Sequence, residues 1–304
     1  MLRLPQNTAL RAGLFMVCAM GSFVANDTLV KILGAHLPVG EIISLRGAMA
    51  ILIIGGICLK QGLLPELPKL AQRNVLMRSG LDVIATISFV TALMHMPIAN
   101  LTAVMQAVPL AVALLSMVLL KEKVGWQRMA AIATGFIGVL MIVKPSVSHA
   151  GLYEALTLLI VLTVALRDIS TKRIPSRIPT FLVALGNACF VTLGGLALSS
   201  MQGMMRPEPW QLGLLTLAAA CLSSGYLFMV ATLRLGELSG TAPFRYSVMV
   251  FAIISGVLVF GQFPDTVAVL GMALVVAAGL YAARREAKQA AKPAFSDSAR
   301  TTAP

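Results

Sequence analysis

The stretch that decides the fold covers residues 98–120 and reads IANLTAVMQAVPLAVALLSMVLL. It contains no charged residue, and it is long enough for a helix that crosses a bilayer, which takes about 20 apolar residues. The whole chain resembles it, because 58% of the 304 residues are hydrophobic and only 12% are charged. The sequence therefore predicts an all-α integral membrane protein. It excludes a soluble enzyme, a secreted disulfide scaffold and a disordered chain.

Apolar windows divide the chain into ten predicted membrane-spanning helices. The connections between them are short and leave no room for a sizeable soluble domain. The third and fourth spans are separated only by the region around Pro97, because one apolar run across both would be too long for a single span. The predicted bounds are 11–34, 40–59, 76–96, 98–120, 125–144, 151–171, 178–199, 211–233, 238–261 and 266–283.

Positive charges are unevenly divided between the two sides of the predicted bundle. With a cytoplasmic N-terminus, eighteen of the 24 Lys and Arg residues fall on the cytoplasmic side, and only Lys144 and Arg206 fall outside. Cytoplasmic loops of membrane proteins carry such an excess of Lys and Arg. The distribution predicts that both termini are cytoplasmic in a bacterial-type inner membrane. It also accounts for the net charge of +12 without a nucleic-acid partner.

The two halves of the chain resemble each other at a nearly constant offset. The matching segments are Asp27–Lys31 with Asp168–Lys172, Phe89–Ala92 with Phe228–Ala231, and Thr102 and Gln106 with Thr241 and Arg245. Because each half contains five helices, an odd number, the second half must be inserted upside down relative to the first. Inverted repeats of this kind give a transporter two related conformations, with the substrate site between the repeats.

The predicted organisation has four parts. A cytoplasmic N-terminus (1–10) precedes a first five-helix repeat (11–145), and an inverted second repeat (151–284) precedes a cytoplasmic tail (285–304). The tail is predicted to be disordered, as chain ends without apolar anchors commonly are.

Two segments of the first repeat resemble a known family. They are the run from Phe89 to Val104 and the run Leu119-Leu-Lys-Glu122, which is followed by the Gly135-Phe-Ile-Gly138 helix. The pattern is similar to the ten-helix, EamA-type branch of the drug/metabolite transporter superfamily, and the resemblance covers about residues 10–284. The second repeat lacks the glutamate, with Gly261-Gln262-Phe263 near that position. The resemblance implies transport of amino acids, other metabolites, S-adenosylmethionine or riboflavin without ATP.

Charged side chains inside a bilayer are costly unless they are paired or hydrated, so each is a candidate functional residue. Asp27 and Lys31 lie one turn apart in the order that favours an intrahelical pair, although Lys31 can instead extend to the outer interface. Arg46 has Asp27 as its nearest counter-ion, or it binds an anionic group of the substrate. These residues are candidates for substrate binding (Arg46) and for gating or coupling (Asp27 and Lys31).

Two more acidic residues are candidates for gating or coupling. Asp82 is either a protonatable coupling residue or the partner of Arg78, four residues earlier. Asp168 lies beside Arg167, and neighbouring positions do not share a helix face, so we expect both residues to contact other helices.

The fourth and ninth helices supply the predicted substrate cavity. Thr102, Gln106 and Pro109 form one polar stripe, and Pro109 and Pro243 free backbone groups that need partners. The predicted substrate-binding residues of the ninth helix are Thr241, Arg245 and Tyr246. Arg245 is the principal candidate, because a guanidinium binds a carboxylate, phosphate or carbonyl strongly.

The sequence thus predicts a secondary transporter that moves a small polar or aromatic metabolite by alternating access. The first choice of activity is uptake of a cofactor-like metabolite, riboflavin or S-adenosylmethionine, and the alternative is export of an amino acid or another metabolite. A membrane interaction protein without transport activity and a channel are alternatives from other classes.

Catalytic and nucleotide-binding motifs are missing from the sequence. There is no Gly-x-x-x-x-Gly-Lys-Ser/Thr loop, no Gly-x-Ser-x-Gly turn and no His-Glu-x-x-His helix. We therefore expect neither an ATP-driven pump nor an enzyme, and no cofactor or metal. The remaining partners are the lipid bilayer and a coupling ion, for which a proton is the candidate, and the oligomeric state is left open.

Overall fold

The computed structural model describes residues 8–120, 126–144, 151–175, 177–235 and 243–290, and these ranges contain helices and turns but no strand. The helices are α1 (Thr8–Leu33), α2 (Val39–Lys60), α3 (Arg73–His95), α4 (Ile98–Met105), α5 (Val108–Leu120), α6 (Trp126–Val143), α7 (Gly151–Lys172), α8 (Thr180–Gln202), α9 (Pro209–Leu235), α10 (Ser247–Phe260) and α11 (Thr266–Ala290). A 3₁₀ helix (Leu64–Ala71) lies between α2 and α3.

These helices occupy the ten predicted spans. In the part of the chain that the structure describes, seven helices are long and apolar enough to cross a membrane, and Met129–Val143 and Thr266–Ala282 are shorter apolar helices. The fourth span consists of α4 and α5, which are separated by a turn at Gln106 and Ala107. Pro109 contributes to this break because it has no N–H for the carbonyl one turn earlier.

The last helix is longer than predicted. α11 continues to Ala290, so residues 285–290, which were expected to be disordered, are helical. The reason is the local composition, since Ala, Arg, Glu, Lys and Gln all favour helix. The remainder of the predicted tail lies outside the described residues.

Helix packing is symmetric between the two halves. α1 packs against α9 and α7 against α3, while α2 packs against α8, α6 against α11, and α4 against α10. The counterparts in the two halves are α1 and α7, α2 and α8, α3 and α9, α4 and α10, and α6 and α11. Exchanging each helix with its counterpart turns the α1–α9 contact into the α7–α3 contact and leaves the other pairs unchanged. The bundle is therefore made of two five-helix repeats related by a pseudo-two-fold axis, with the core between them.

The paired helices run antiparallel, as an inverted repeat requires. In the α2–α8 pair, Gly40 lies against Ser199 and Gly47 against Thr192, so later residues of one helix meet earlier residues of the other. An axis that exchanges α2 with α8 must therefore reverse the direction of the chain along the bundle.

Close contact between α6 and α11 depends on two glycines. A Cβ added to Gly138 would lie 2.7 Å from the carbonyl oxygen of Gly271, and a Cβ added to Gly271 would lie 2.7 Å from that of Gly138. Gly279 on α11 accommodates the hydroxyl of Tyr246 in the same way. Small residues at helix contacts let membrane helices approach closely.

The helix ends form two rims. The Arg78 rim contains the C-terminal ends of α2 and α7 and the N-terminal ends of α3 and α8. The Lys31 rim contains the C-terminal ends of α1, α3, α6 and α8 and the N-terminal ends of α2, α7, α9 and α11. The positive-charge distribution predicts that the Arg78 rim faces the cytoplasm.

Candidate functional site

An ion-pair cluster joins α3, α7 and α8 in the interior of the bundle. Arg167 donates from Nη1 to Asp82 at 2.6 Å and from Nε and Nη2 to Asp168 at 3.0 and 2.8 Å. Asn187 donates to the other carboxylate oxygen of Asp82. The cluster thus contains two carboxylates for one guanidinium, and every one of its four side chains has at least one polar partner.

Arg167 contacts another helix as expected, but it also contacts Asp168, and the structure excludes Arg78 as the partner of Asp82. Arg167 does contact Asp168, because its long side chain folds back toward the adjacent residue, and it reaches Asp82 on α3 at the same time. Asp82 pairs with Arg167 and not with Arg78. Side chains on a helix lean toward its N-terminus, so Arg78 extends away from Asp82 toward the Arg78 rim, where its Nε donates to Thr171 Oγ1 at 3.0 Å.

A cavity of about 410 Å³ extends from the Arg78 rim toward this cluster. Its walls come from α2, α3, α7, the connection that follows α7, α8 and α9, and most of its lining is apolar. The polar lining residues are Arg78, Thr171, Thr180, Ser223 and Tyr226. The ion-pair cluster lies one helical turn deeper, since Asp82 follows Arg78 by four residues and Arg167 precedes Thr171 by four.

Two polar atoms of the cavity lining have no hydrogen-bond partner among the residues that the structure describes. They are Nη1 of Arg78 and Oγ of Ser223, and both atoms are buried. Buried polar groups in folded proteins are nearly always hydrogen-bonded, so unsatisfied donors at a cavity wall indicate where a ligand or water binds. The cavity therefore has the composition of a small-molecule site, with an apolar wall and a few convergent polar groups.

A second polar cluster lies at the counterpart position in the first repeat. Arg46 donates from Nη1 to Asn26 Oδ1 at 3.0 Å, and Asn26 donates to Asp27 at 2.9 Å. Asn26 thus links the predicted counter-ions, which also interact electrostatically. Tyr226 lies within electrostatic range of Arg46, Arg78, Asp82 and Arg167.

Lys31 closes the opposite end of the bundle and does not form the predicted intrahelical pair with Asp27. Its Nζ donates to the carbonyl oxygens of Leu93 and Met96 at 2.5 and 2.6 Å. The carbonyl of Leu93 would ordinarily accept from the residue four positions later, but that residue is Pro97, which has no N–H. The ammonium also lies 5.5 Å from the ring centroid of Phe260, a cation–π distance.

Further contacts close the Lys31 rim. The backbone N–H of Met205 donates to Glu41 Oε2 at 3.0 Å, which fastens the α8–α9 connection to the start of α2. His36 packs edge-on against Trp210 with ring centroids 5.0 Å apart. These contacts join the ends of α1 and α2 to α9 and its preceding loop.

An exposed ion pair connects the two repeats at the same rim. Lys144 at the end of α6 donates to Asp265, which precedes α11, at 2.5 Å. This hydrogen bond, together with the bond from the backbone N–H of Ala268, holds the pKa of Asp265 below its ordinary value. The carboxylate is therefore ionised, and available to Lys144, throughout the neutral range.

The predicted substrate residues of the fourth and ninth helices do not line this cavity. Thr102 is buried in α4, and Gln106 is half-buried at the turn before α5. Tyr246 packs its hydroxyl against Gly279, and Arg245 is exposed near the start of its helix. Thr241 lies outside the described residues.

Sequence reasoning assigned no binding role to Arg78, Ser223 and Tyr226. Arg78 was counted among the loop charges that set the orientation. The offset between the repeats aligns Tyr226 with the segment Ala85–Ile87, which has no aromatic residue. One signal was available for Asn187, because the offset that aligns Asp27 with Asp168 also aligns Arg46 with Asn187.

Comparison with known proteins relates the chain to membrane transporters. Residues 10–144 and 151–283 each match the family described as EamA-like transporter family. An S-adenosylmethionine uptake transporter of Rickettsia felis is 24% identical over 91% of this chain and 93% of its own length. The pseudopaline exporter CntI of Pseudomonas aeruginosa is 25% identical over 88% and 95%, and a riboflavin transporter of Rhizobium johnstonii is 28% identical over 68% of each chain.

A solved structure shares the fold. A crystal structure with 16% sequence identity superposes with a TM-score of 0.63 and covers 92% of this chain and 99% of the other.

Proposed function

Since the chain belongs to the EamA-like transporter family, we propose that it moves a small polar or aromatic metabolite across the membrane by alternating access between its two inverted repeats. The observation that carries this proposal is the difference between the two rims. The Arg78 rim contains an open cavity, whereas the symmetry-related region at the Lys31 rim is closed by side-chain contacts.

The repeat symmetry relates the closed region at the Lys31 rim to the open cavity at the Arg78 rim. At the Lys31 rim, Gly34 lies against Met94, because a Cβ added to Gly34 would be 2.7 Å from Met94 Cγ. The offset between the repeats places the counterpart of Gly34 at Pro175 and that of Met94 in the last turn of α9. Pro175 and Val230 of α9 both line the open cavity. The same helix pair is thus closed in one repeat and separated in the other, as expected for one state of an alternating-access carrier.

Uptake of a cofactor-like metabolite, either riboflavin or S-adenosylmethionine, is the proposed activity. It is supported by the printed functions of two relatives, at 24% and 28% identity. Export of an amino acid or another metabolite is the second candidate, and it is supported by the pseudopaline exporter among the relatives.

The decisive experiment is uptake into proteoliposomes that contain the purified protein. Labelled S-adenosylmethionine and riboflavin are offered separately, with protein-free liposomes as the blank and excess unlabelled compound as the competitor. Saturable, competed uptake of either compound supports the proposal. If neither compound enters, and preloaded vesicles release neither of them, the proposed substrates are wrong.

Four charged residues are proposed to gate or couple transport. Lys31 holds the Lys31 rim closed. Asp27 belongs to the cluster within the first repeat, and Asp82 and Asp168 belong to the ion-pair cluster that connects the two repeats. A carboxylate in either cluster is proposed to bind the coupling proton, because opening the bundle would change its contacts with Arg46 or Arg167.

We predict that the protein resides in the inner membrane of a bacterial cell with both termini in the cytoplasm. A reporter that is active only in the periplasm should be active when it is fused after Lys144 and inactive when it is fused to the C-terminus. Fusions of a cytoplasmic reporter should give the reverse pattern. A periplasmic C-terminus would contradict the ten-helix topology and, with it, the orientation of the inverted repeats.

Arg245 does not line the cavity in the state that the structure describes, and it is proposed to contact the substrate from the ninth helix in another state of the transport cycle, with Gln106 at the counterpart position of the fourth. A hydrogen bond to a charged group contributes about 1.5–3 kcal/mol, so Arg245→Gln should weaken substrate binding about ten- to a hundredfold. Arg245→Lys should restore only part of the affinity, because Lys lacks the planar fork.

The measurement is equilibrium binding to purified protein, with the exposed Arg284→Gln on α11 as the matched control. If Arg245→Gln binds and transports normally, Arg245 has no role in the site and Thr102, Gln106, Thr241 and Tyr246 lose their assignment with it.

A further inference from the structure

We propose that the cavity at the Arg78 rim binds a zwitterionic substrate, with the substrate carboxylate at Arg78, Ser223 and Tyr226. This inference rests on the proposed transport function and names the chemical class of its substrate. It predicts a compound with a carboxylate, a cationic group and an apolar or aromatic body.

The first argument is the set of unsatisfied donors. Thr171 fixes one side of the Arg78 guanidinium by accepting from Nε at 3.0 Å, while Nη1 is buried without a partner. Ser223 is only 5% exposed, and its hydroxyl also has no partner. Tyr226 lines the same cavity one turn along α9 from Ser223. A carboxylate, which accepts up to four hydrogen bonds, would satisfy these donors together.

The second argument is charge balance. Arg167 is paired with two carboxylates, and Arg46 is linked to Asp27 through Asn26. Among the described residues, Arg78 forms no ion pair with a carboxylate, so its charge is left for a ligand. A guanidinium in an apolar site is the residue that best matches the planar geometry of a carboxylate.

The third argument concerns the inner end of the cavity. One turn deeper than Arg78, the cluster of Asp82, Asp168 and Arg167 contains one more carboxylate than guanidinium. Asn187 Oδ1 is buried there without a partner and can accept a further hydrogen bond. An ammonium or sulfonium group is therefore favoured at this end, while a carboxylate is favoured at Arg78.

The rest of the cavity fits an apolar body. Ile54, Ile57, Phe181, Leu227 and Val230 form its wall, and its volume of about 410 Å³ lies within the range of small-molecule sites. Of the two proposed uptake substrates, S-adenosylmethionine has a carboxylate, an ammonium and a sulfonium, whereas riboflavin has no ionised group at neutral pH. The cavity chemistry therefore favours the amino-acid-containing compound.

The test compares ligands that differ only in the carboxylate. Binding to the full-length protein in lipid nanodiscs is measured for S-adenosylmethionine and its decarboxylated form, and for tryptophan and tryptamine. We expect the carboxylated member of at least one pair to bind tenfold or more tightly to the wild type. Arg78→Gln should abolish this difference, and Arg78→Lys should keep part of it.

Two further variants serve as a charge control and as a second test of the carboxylate site. Arg73→Gln removes an exposed positive charge from the same helix and should keep the wild-type preference. Tyr226→Phe removes one hydroxyl with little change in shape, and we expect it to reduce the preference severalfold even if the Arg78 variants are unstable. Melting temperatures of all variants distinguish lost binding from lost folding.

Three results would overturn the assignment. They are equal binding of both members of each pair, a preference that survives Arg78→Gln in folded protein, and binding of riboflavin without binding of any carboxylated probe. The last result would leave the proposed transporter function intact. Failure of all probes together with absence of uptake in proteoliposomes would instead contradict the proposed function itself.

Discussion

Replacing Arg167 with Leu is expected to lower the free energy of unfolding by about 3 kcal/mol, near the lower end of the range for breaking a buried ion pair. The substitution would leave Asp82 and Asp168 facing each other without their shared cation. The side chain of Asp82 is only 9% exposed, so little water can replace the guanidinium. The lower end of the range applies because the Arg167 side chain itself is 27% exposed.

Thermal unfolding of the purified protein in detergent measures this effect. Arg173→Leu is the matched control, since Arg173 is exposed just beyond the end of α7. The double variant Arg167→Leu/Asp82→Asn should recover part of the loss, because one of the two unpaired carboxylates becomes neutral. Wild-type stability of Arg167→Leu would mean that the cluster does not hold α3 against α7.

The number and order of the spans could be predicted from the sequence because each span is encoded locally. A run such as residues 98–120 is apolar throughout, and its length matches the bilayer whatever the rest of the chain does. The repeat was visible for a similar reason, since Asp27 and Asp168 lie in matching segments. Local composition also explains the one error in extent, the helical continuation of α11 to Ala290.

The site was harder to predict because its residues are brought together by packing. Asp82 and Arg167 are 85 residues apart and meet only because α3 lies against α7. Spacing along one helix suggested Arg78 as the partner of Asp82 and Lys31 as the partner of Asp27. In the structure, Arg78 instead contacts α7 and Lys31 contacts the end of α3. The free carbonyl of Leu93 was one signal in the sequence, because Pro97 four residues later cannot donate to it.

The pseudo-symmetry also relates further polar residues of the two clusters. The offset that aligns Asp27 with Asp168 also aligns Asn26 with Arg167 and Arg46 with Asn187. Each repeat thus contributes an acid, an amide and an arginine to its cluster, but the amide and the arginine exchange positions. Only Asp82 breaks the pattern, which explains why the two clusters differ in net charge.

Locking the Lys31 rim is expected to abolish transport, because alternating access requires this rim to open. The pair Gly34→Cys/Met94→Cys suits the purpose, since a Cβ added to Gly34 would lie 2.7 Å from Met94 Cγ. This proximity is consistent with a disulfide, in which the Cβ atoms lie about 3.5–4.5 Å apart. Replacing Met94 with Cys also removes the side chain that an added Cβ would meet.

The experiment requires a background in which the four native cysteines (Cys18, Cys58, Cys189 and Cys221) are replaced by Ala. The single variants Gly34→Cys and Met94→Cys, oxidised in the same way, control for the chemical treatment. Formation of the disulfide is followed by mass spectrometry before and after addition of reductant.

Uptake of labelled substrate into proteoliposomes by this double-cysteine variant tests the central claim most directly. If the two repeats open alternately, oxidation should reduce the uptake rate at least tenfold, and reduction should restore it, while the single variants are unaffected. A fully cross-linked protein that still transports at the rate of its reduced form would contradict alternating access through the Lys31 rim.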